Sequence, residues 1–286
     1  MPGMSIVLDH QEQPRFAYGA TRFLFGGLEN IDPAEMAPRI AVEFKARDGL
    51  SLHGFLTRPK AAGGTALPLV LLRHGIADEW LFDTDAQFFA SRGYAVLQVN
   101  FRGSGGRGDA FIKSGYREWG GKIQSDLIDG VQWAIAPGFA DPSRICVCGA
   151  SVGAYSAMML PVRAPQRFKC AIGYAGVYNL AMLYRTKVSD RDAPRNGAAL
   201  LKRDIGDDGA QQRRESPVAL AGQIKMRDAL FEAGNRAESM PVSAEGHDFY
   251  LSANRLEVYQ KRAEFLARFL APPRPVQGER AAATPP

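Results

Sequence analysis

One short stretch, RICVCGASVGAYSA at residues 144–157, restricts the fold more than any other part of the chain. A run of β-branched and thiol side chains leads into the pattern Gly-x-Ser-x-Gly around Ser151, and small and apolar residues that suit a buried helix follow. Glycine at positions 149 and 153 removes side chains that would collide in a very sharp turn, and such a turn lifts a serine hydroxyl off a sheet edge. The stretch therefore predicts strand, tight turn and helix, with Ser151 as a nucleophile; a purely structural turn is the alternative.

The composition places few limits on the fold but excludes several partners. Hydrophobic residues make up 46% of the chain and charged residues 23%, which is typical of a globular protein. A chain of 286 residues is long enough for one large α/β domain or two small ones. The net charge of +5 comes from scattered arginines, so we expect no nucleic-acid partner. No apolar run is long enough for a signal peptide or a membrane span. We therefore expect a cytoplasmic protein without a membrane partner.

The three cysteines, Cys146, Cys148 and Cys170, all fall in predicted buried strands. An odd, low count in such positions favours reduced thiols over a disulfide scaffold. Cys146 and Cys148 share a strand face, but no clustered histidine or cysteine completes a metal site beside them. We expect small core residues here, and neither a metal nor a cofactor.

Strands and helices alternate along the central part of the chain. Residues 39–59 alternate between polar and apolar around a turn, which predicts a β-hairpin. The run LPLVLL at residues 67–72 is typical of a strand buried on both faces. Further predicted elements are helices over 82–92, 121–136, 223–233 and 256–270 and strands over 94–100, 169–176 and 240–244. This order predicts a mostly parallel, doubly wound α/β sheet with an N-terminal antiparallel hairpin.

The domain boundaries follow from where this pattern begins and ends. We expect a loosely attached leader over residues 1–38, an α/β domain over 39–270 and a disordered, Pro- and Ala-rich tail over 271–286. Residues 101–108, FRGSGGRG, match neither phosphate-binding glycine pattern, so an ordered loop with close backbone approaches is favoured over a nucleotide site.

Several segments, in order along residues 46–270, together resemble the prolyl oligopeptidase family of serine peptidases, in its dipeptidyl-peptidase and acylaminoacyl-peptidase branch. They are ARDGLSLHGFLTRP, RHG, FASRGYAVLQVNFRGSGGRGDAF, WGGKIQSDLIDGVQWA, DPSRICVCGASVGAYSAM and EGHDFY. The resemblance implies an α/β-hydrolase fold, usually preceded by a β-propeller that screens the site. The leader here is too short for a propeller, so we expect the hydrolase domain alone, with a more open site.

The resemblance also implies catalytic roles. Ser151 matches the nucleophile, and His247 in EGHDF matches the general base, at the late position that the order of serine, acid and histidine requires. The oxyanion would be held by the backbone N–H of Val152 and by a second N–H near Gly75 or Ile76. Family members commonly carry His-Gly-Gly-Pro at that second point, whereas this chain reads His-Gly-Ile-Ala.

The catalytic acid departs from the family pattern. Ser216-Pro217-Val218 matches the family motif, but the apolar strand and the aspartate that should follow are missing, and a helical pattern comes next. No acid is assigned, because each remaining candidate is better explained as a solvated charge: Asp204, Asp207, Asp208, Asp228 and Asp248. Loss of this carboxylate costs about 10⁴ in kcat in a well-studied protease.

Two functions therefore stay open. The first is a serine-type peptidase or hydrolase that acts on short peptides or small esters through an acyl-serine intermediate at Ser151, impaired by the missing acid. The second is a catalytically inactive α/β-hydrolase relative that acts as a binding or scaffold protein.

Overall fold

The computed structural model describes residues 32–60, 66–73, 82–184, 197–220, 237–243, 245–246 and 249–270. In this part of the chain six strands form one sheet: β1 (Arg39–Lys45), β2 (Ser51–Thr57), β3 (Leu67–Arg73), β4 (Ala95–Asn100), β5 (Ala140–Ala150) and β6 (Cys170–Tyr174). Their order across the sheet is β1-β2-β4-β3-β5-β6.

Helices connect and cover these strands, and a single 3-10 turn (Pro33–Glu35) precedes them. In the described ranges the α-helices are α1 (Thr84–Ala90), α2 (Asp109–Lys113), α3 (Lys122–Ile135), α4 (Val152–Arg163), α5 (Leu180–Leu183), α6 (Gly197–Asp204), α7 (Gly209–Arg214), α8 (Pro217–Leu220) and α9 (Ser252–Leu270). Among the described residues, no helix has both the length and the hydropathy needed to cross a membrane.

The predicted sheet architecture is confirmed. β1 pairs antiparallel with β2, and β2 pairs antiparallel with β4. From β4 onwards the pairs β3–β4, β3–β5 and β5–β6 are all parallel. Parallel neighbours need crossover connections, and the helices between the strands supply them. The carboxyl ends of β3, β5 and β6 therefore meet at one edge of the sheet.

Helices cover both faces of the sheet, as a doubly wound fold requires. α3 and α4 pack on one face around Leu127 and Leu160, both fully buried. α1 and α9 pack on the other face around Phe89 and Leu266. Every residue of β3 is buried, as its continuous apolar run predicted. The central strands are thus fixed from both sides.

A buried ion pair fixes the glycine-rich loop after β4. Arg102, the second residue of that loop, donates to Asp126 of α3 and to Asp48 of the β1–β2 turn, with shortest distances of 2.7 and 2.8 Å. Asp126 is fully buried, and the hydrogen bond from Arg102 lowers the pKa of Asp48 to about 2. Gly103 lies against Gly115, so the loop has the close backbone approach predicted.

The expectation of three reduced cysteines is wrong. Cys146 of β5 and Cys170 of β6 form a disulfide, with their Cα atoms 4.7 Å apart, and Cys148 is a buried free thiol. The two residues face each other directly in the β5–β6 register, which a strand pattern in the sequence does not reveal. A cytoplasmic location therefore stays a prediction, now without the support of reduced thiols.

Some predicted elements at the C-terminal end differ or lie outside the description. The strand predicted over 240–244 is wrong for Met240–Ser243, which have no regular structure. A strand needs a partner for its backbone, and none of the described strands pairs with this segment. The helix predicted over 223–233, residue 244, the tail over 271–286 and residues 1–31 of the leader lie outside the described residues. The leader's end contacts the domain, since Ala37 exchanges two hydrogen bonds with Gln87.

Candidate active site

Ser151 occupies a strained turn between β5 and α4. Its φ of 52° and ψ of −115° lie in a region that residues with a Cβ rarely adopt. Two backbone bonds hold it there: its N–H donates to the carbonyl of Tyr174 at 3.0 Å, and its own carbonyl accepts the N–H of Tyr155 at 3.1 Å. The side chain stands at the carboxyl edge of the sheet and is partly exposed. This is the conformation in which a serine hydroxyl is presented for attack.

The two flanking glycines are required by contact. A Cβ on Gly149 would lie 2.5 Å from the carbonyl carbon of Gly153. A Cβ on Gly153 would overlap the carbonyl oxygen of Arg73, the last residue of β3. The sharp turn thus depends on the close approach of three backbone segments, which explains the Gly-x-Ser-x-Gly spacing that the sequence analysis singled out.

Val152 is the first residue of α4, so its N–H has no carbonyl one turn earlier to bind. Gly75 and Ile76, the predicted second source of an N–H, lie outside the described residues. The strand that leads to them ends at Arg73, which is buried with its guanidinium carbon 4.4 Å from the ring centre of Phe101. Burial lowers the pKa of Arg73 to about 9.

His247 also lies outside the described residues, but its neighbours in sequence are described. The ring of Phe249 lies 5.6 Å from the ring of Tyr174, measured between centroids. Tyr174 ends β6 and pairs with Ala150, the residue before Ser151. The chain directly after the predicted base is therefore next to the strand end that holds the predicted nucleophile.

A cavity of about 200 Å³ opens beside the turn. It is lined by the ends of β3, β5 and β6 and by the start of α1: Leu72, Arg73, Gly149, Ala150, Tyr174, Asp83 and Asp85. Two aspartates thus line a cavity that borders the turn at Ser151. Within the described ranges, no three histidine, cysteine or carboxylate side chains converge as a metal site would require.

The two carboxylates have different partners. Asp85 accepts two hydrogen bonds from Arg262, at 3.1 and 2.7 Å, and a third from the hydroxyl of Tyr259 at 2.5 Å. Arg262 is buried, and it also donates to the Sγ of Cys148 at 3.3 Å. Burial, and then the Asp85 carboxylate, raises the pKa of Tyr259. Asp85 is therefore part of a neutralised ion pair that joins α1 to α9.

Asp83 has only neutral partners among the described residues. One carboxylate oxygen accepts the N–H of Ala86 at 2.8 Å, which caps α1, and the other accepts the amide of Gln98 at 2.7 Å. Neither Asp83 nor Asp85 stands out in the sequence as a candidate site residue. The signal for Asp83 was its position at the start of the helix predicted over 82–92, where aspartate caps a helix; nothing in the sequence indicated its proximity to β5.

The candidate acids in the segment between β6 and Ser216 have other partners. Asp204 pairs with Arg203, and Asp207 pairs with Lys202. Asp208 caps α7 through the N–H of Ala210. Asp228 and Asp248 lie outside the described residues.

The segment after Ser216 also differs from the pattern implied by the resemblance. Pro217–Leu220 form helix α8 instead of leading directly into a strand. The preceding residues remain attached to the site region, since Tyr155 of α4 donates its hydroxyl to the carbonyl of Glu215 at 2.8 Å. Ser216 accepts the N–H of Leu180 at 2.9 Å.

Several known proteins are similar to this chain in sequence. The model of the prolyl oligopeptidase family matches residues 80–196. Dipeptidyl aminopeptidase BIII of Pseudoxanthomonas mexicana is 31% identical, over 88% of this chain and 41% of that protein. An acylamino-acid-releasing enzyme of Arabidopsis thaliana is 29% identical, over 63% of this chain and 24% of that protein. The chain thus spans less than half the length of these relatives.

Two solved structures share the fold. A puromycin-hydrolyzing peptidase of Mycobacterium tuberculosis superposes with a TM-score of 0.80 at 21% identity, over 94% of this chain and 44% of that one. The acylaminoacyl peptidase of Pyrococcus horikoshii gives a TM-score of 0.75 at 21% identity, over 89% of this chain and 45% of that one. At this identity the likeness shows the fold alone.

Proposed function

The chain belongs to the prolyl oligopeptidase family, and on that premise we propose that it is a serine-type hydrolase that cleaves short peptides or small esters through an acyl-serine intermediate at Ser151. The observation that carries the proposal is the backbone of Ser151, a non-glycine residue held at positive φ between a strand and a helix. Such strain persists only where the surroundings enforce it, and it is typical of nucleophiles in this fold.

The chemistry assigns a role to each predicted residue. The Oγ of Ser151 attacks the carbonyl carbon of the substrate, while its proton passes to the imidazole of His247. The carbonyl oxygen becomes negative and accepts the N–H of Val152, with a second N–H from Gly75 or Ile76. When the tetrahedral intermediate collapses, the imidazole returns the proton to the leaving group. Water then releases the acyl group by the same steps.

Two observations support placing His247 in this scheme. The ring of Phe249, two residues later, lies against Tyr174, whose carbonyl accepts the N–H of Ser151. The helix that follows, α9, is joined to α1 through Arg262 and Asp85, and Asp85 lines the cavity at the ends of β3, β5 and β6. The path of the chain is therefore compatible with an imidazole delivered to the serine.

Labelling with a fluorophosphonate tests the nucleophile directly. The wild type and the Ser143→Ala variant, which changes an exposed serine at the other end of β5, should label equally. Ser151→Ala should not label, and His247→Ala should label at least about 100-fold more slowly, because general-base assistance is typically worth 10²–10⁴. Equal labelling of the wild type and Ser151→Ala, or no labelling of either, would remove the proposal.

The second candidate is an inactive relative that binds peptides. The observation in its favour is that Pro217–Leu220, at the start of the segment that the resemblance leads into a strand with the acid, form helix α8. Turnover of p-nitrophenyl esters or aminoacyl-arylamides that disappears in His247→Ala would count against it. Binding of peptides without turnover, and without labelling at Ser151, would favour it.

A further inference from the structure

We propose that Ala175 is a positioning residue for the nucleophile, because its left-handed backbone directs the carbonyl of Tyr174 onto the N–H of Ser151. The inference rests on the proposed function and adds a residue outside the Gly-x-Ser-x-Gly pattern. It starts from the hydrogen bond between the N–H of Ser151 and the carbonyl of Tyr174, which is 3.0 Å long and joins the nucleophile turn to the end of β6.

Two strained residues stand on either side of this hydrogen bond. Ser151 donates it with a φ of 52°, and Ala175, which directly follows the acceptor Tyr174, has a φ of 47°. Left-handed backbone costs free energy in a residue with a Cβ, and it persists only where the surroundings enforce it. In the described part of the chain only two other non-glycine residues have a positive φ, Ala66 and Arg117. Half of these strained residues thus meet at one hydrogen bond.

The chain before Ala175 is fixed by the sheet. Tyr174 is the last residue of β6 and pairs with Ala150, the last residue of β5. Its carbonyl belongs to the same plane as the N–H of Ala175, because the peptide bond is planar. Rotation about the N–Cα bond of Ala175, which φ measures, is therefore the first freedom by which the chain can leave that plane.

The chain after Ala175 is anchored as well, because it folds back over the end of β6. A Cβ on Gly173 would lie 2.7 Å from the hydroxyl oxygen of Tyr178, so this hydroxyl packs against the strand that the chain has just left. The carbonyl of Tyr178 also accepts the N–H of Val218 at 3.1 Å. Both sides of Ala175 are thus held, and its left-handed backbone is the conformation that connects them.

The consequence for the reaction is a fixed nucleophile. The N–H that Tyr174 binds and the Oγ that attacks the substrate belong to one residue, so a shift of this carbonyl moves the backbone that presents the hydroxyl. A misplacement of about 1 Å at a reacting group can cost about 100-fold in rate. Ala175 therefore acts on the reaction through Tyr174 and not by contact with the substrate.

Valine at position 175 tests this role, because a β-branched residue is rarely found at positive φ. Ala175→Val should break the bond between Ser151 and Tyr174, and fluorophosphonate should then label Ser151 on the order of tenfold more slowly or worse. Ala66→Val is the matched control, since Ala66 is also exposed, has a φ of 62° and precedes β3 at the opposite edge of the sheet. This control should lower Tm comparably and leave the labelling rate of the folded protein unchanged.

Asparagine and glycine at position 175 should rescue the labelling, because both adopt left-handed backbone readily. Ala175→Asn and Ala175→Gly should therefore label as fast as the wild type. A role in packing alone would make the labelling rate follow the size of the new side chain, and asparagine, which is as large as valine, would then slow it.

Hydrogen exchange at the Ser151 amide keeps the inference testable if Ala175→Val does not fold. Glycine relieves the strain at position 175, so the bond to Tyr174 should open less often in Ala175→Gly, and the amide should exchange roughly fivefold more slowly. Ala66→Gly relieves the same kind of strain at the other edge of the sheet and should leave exchange at Ser151 unchanged.

Labelling of Ala175→Val at the wild-type rate would overturn the inference, and so would slow labelling of Ala175→Asn. Equal exchange at Ser151 in the wild type and Ala175→Gly would also overturn it. Equal slowing in both glycine variants would do the same, because the strain would then act on the whole fold. Failure of the proposed function is distinguishable, since the wild type itself would then not be labelled, whereas the exchange measurement needs no reaction at Ser151.

Discussion

Reduction of the Cys146–Cys170 disulfide should destabilise the protein by a measurable amount. The bond joins residues 24 apart in sequence. The loop-closure estimate for that separation is about 3 kcal/mol, most of it from entropy that the cross-link removes from the unfolded chain. For a domain of this size, this loss lowers Tm by roughly 6–12 °C.

The loss should also be local, because β6 pairs only with β5 among the described strands. The disulfide stands at the first pair of this ladder, and the bond from Ser151 to the Tyr174 carbonyl follows its last pair. A reductant should therefore speed amide hydrogen exchange in β6 more than in β3, which is paired on both sides.

Thermal unfolding with and without a non-thiol reductant measures the effect. Cys148→Ala keeps the disulfide and should remain as sensitive to the reductant as the wild type, whereas the double variant Cys146→Ala, Cys170→Ala should be insensitive. The reasoning fails if the wild type has the same Tm in both conditions, or if alkylation before reduction finds three free thiols.

Two further substitutions test the site and the core. Gly153→Ala places a methyl group against the Arg73 carbonyl and should displace the turn. We expect the unfolding free energy to fall by about 1–3 kcal/mol and most of the fluorophosphonate labelling at Ser151 to be lost. Normal labelling would show that the turn can adjust. Arg102→Met leaves the fully buried Asp126 without its partner and should lower the unfolding free energy by about 3–5 kcal/mol, measured by urea titration. The pair of Arg47 with Asp129 is its control because Arg47 is exposed, and Arg47→Met should cost less than about 1 kcal/mol. Equal losses would contradict the role of burial.

Several features of the site were predictable because their causes are local. The backbone of a turn this sharp tolerates no Cβ at positions 149 and 153, so the Gly-x-Ser-x-Gly pattern identified it. The continuous apolar run of β3 likewise indicated a strand buried on both faces. That Ser151 and His247 meet is still a prediction.

Other features depend on which strands are neighbours and in what register. The sequence predicted buried strand positions for Cys146 and Cys170. Only the alignment of β5 with β6 brings the two residues face to face. The sequence predicted the start of a helix at Asp83. Its place beside Ala150 follows from the packing of α1 over the carboxyl edge of the sheet.

The sequence by itself determined the strand, turn and helix around Ser151 and the doubly wound order of elements, because backbone sterics and hydrophobic periodicity act over a few residues. Only the tertiary structure decided which cysteines pair and which carboxylates reach the cavity. Those contacts join residues that are far apart along the chain, and their partners are selected by register and packing, which leave no periodic trace in the sequence.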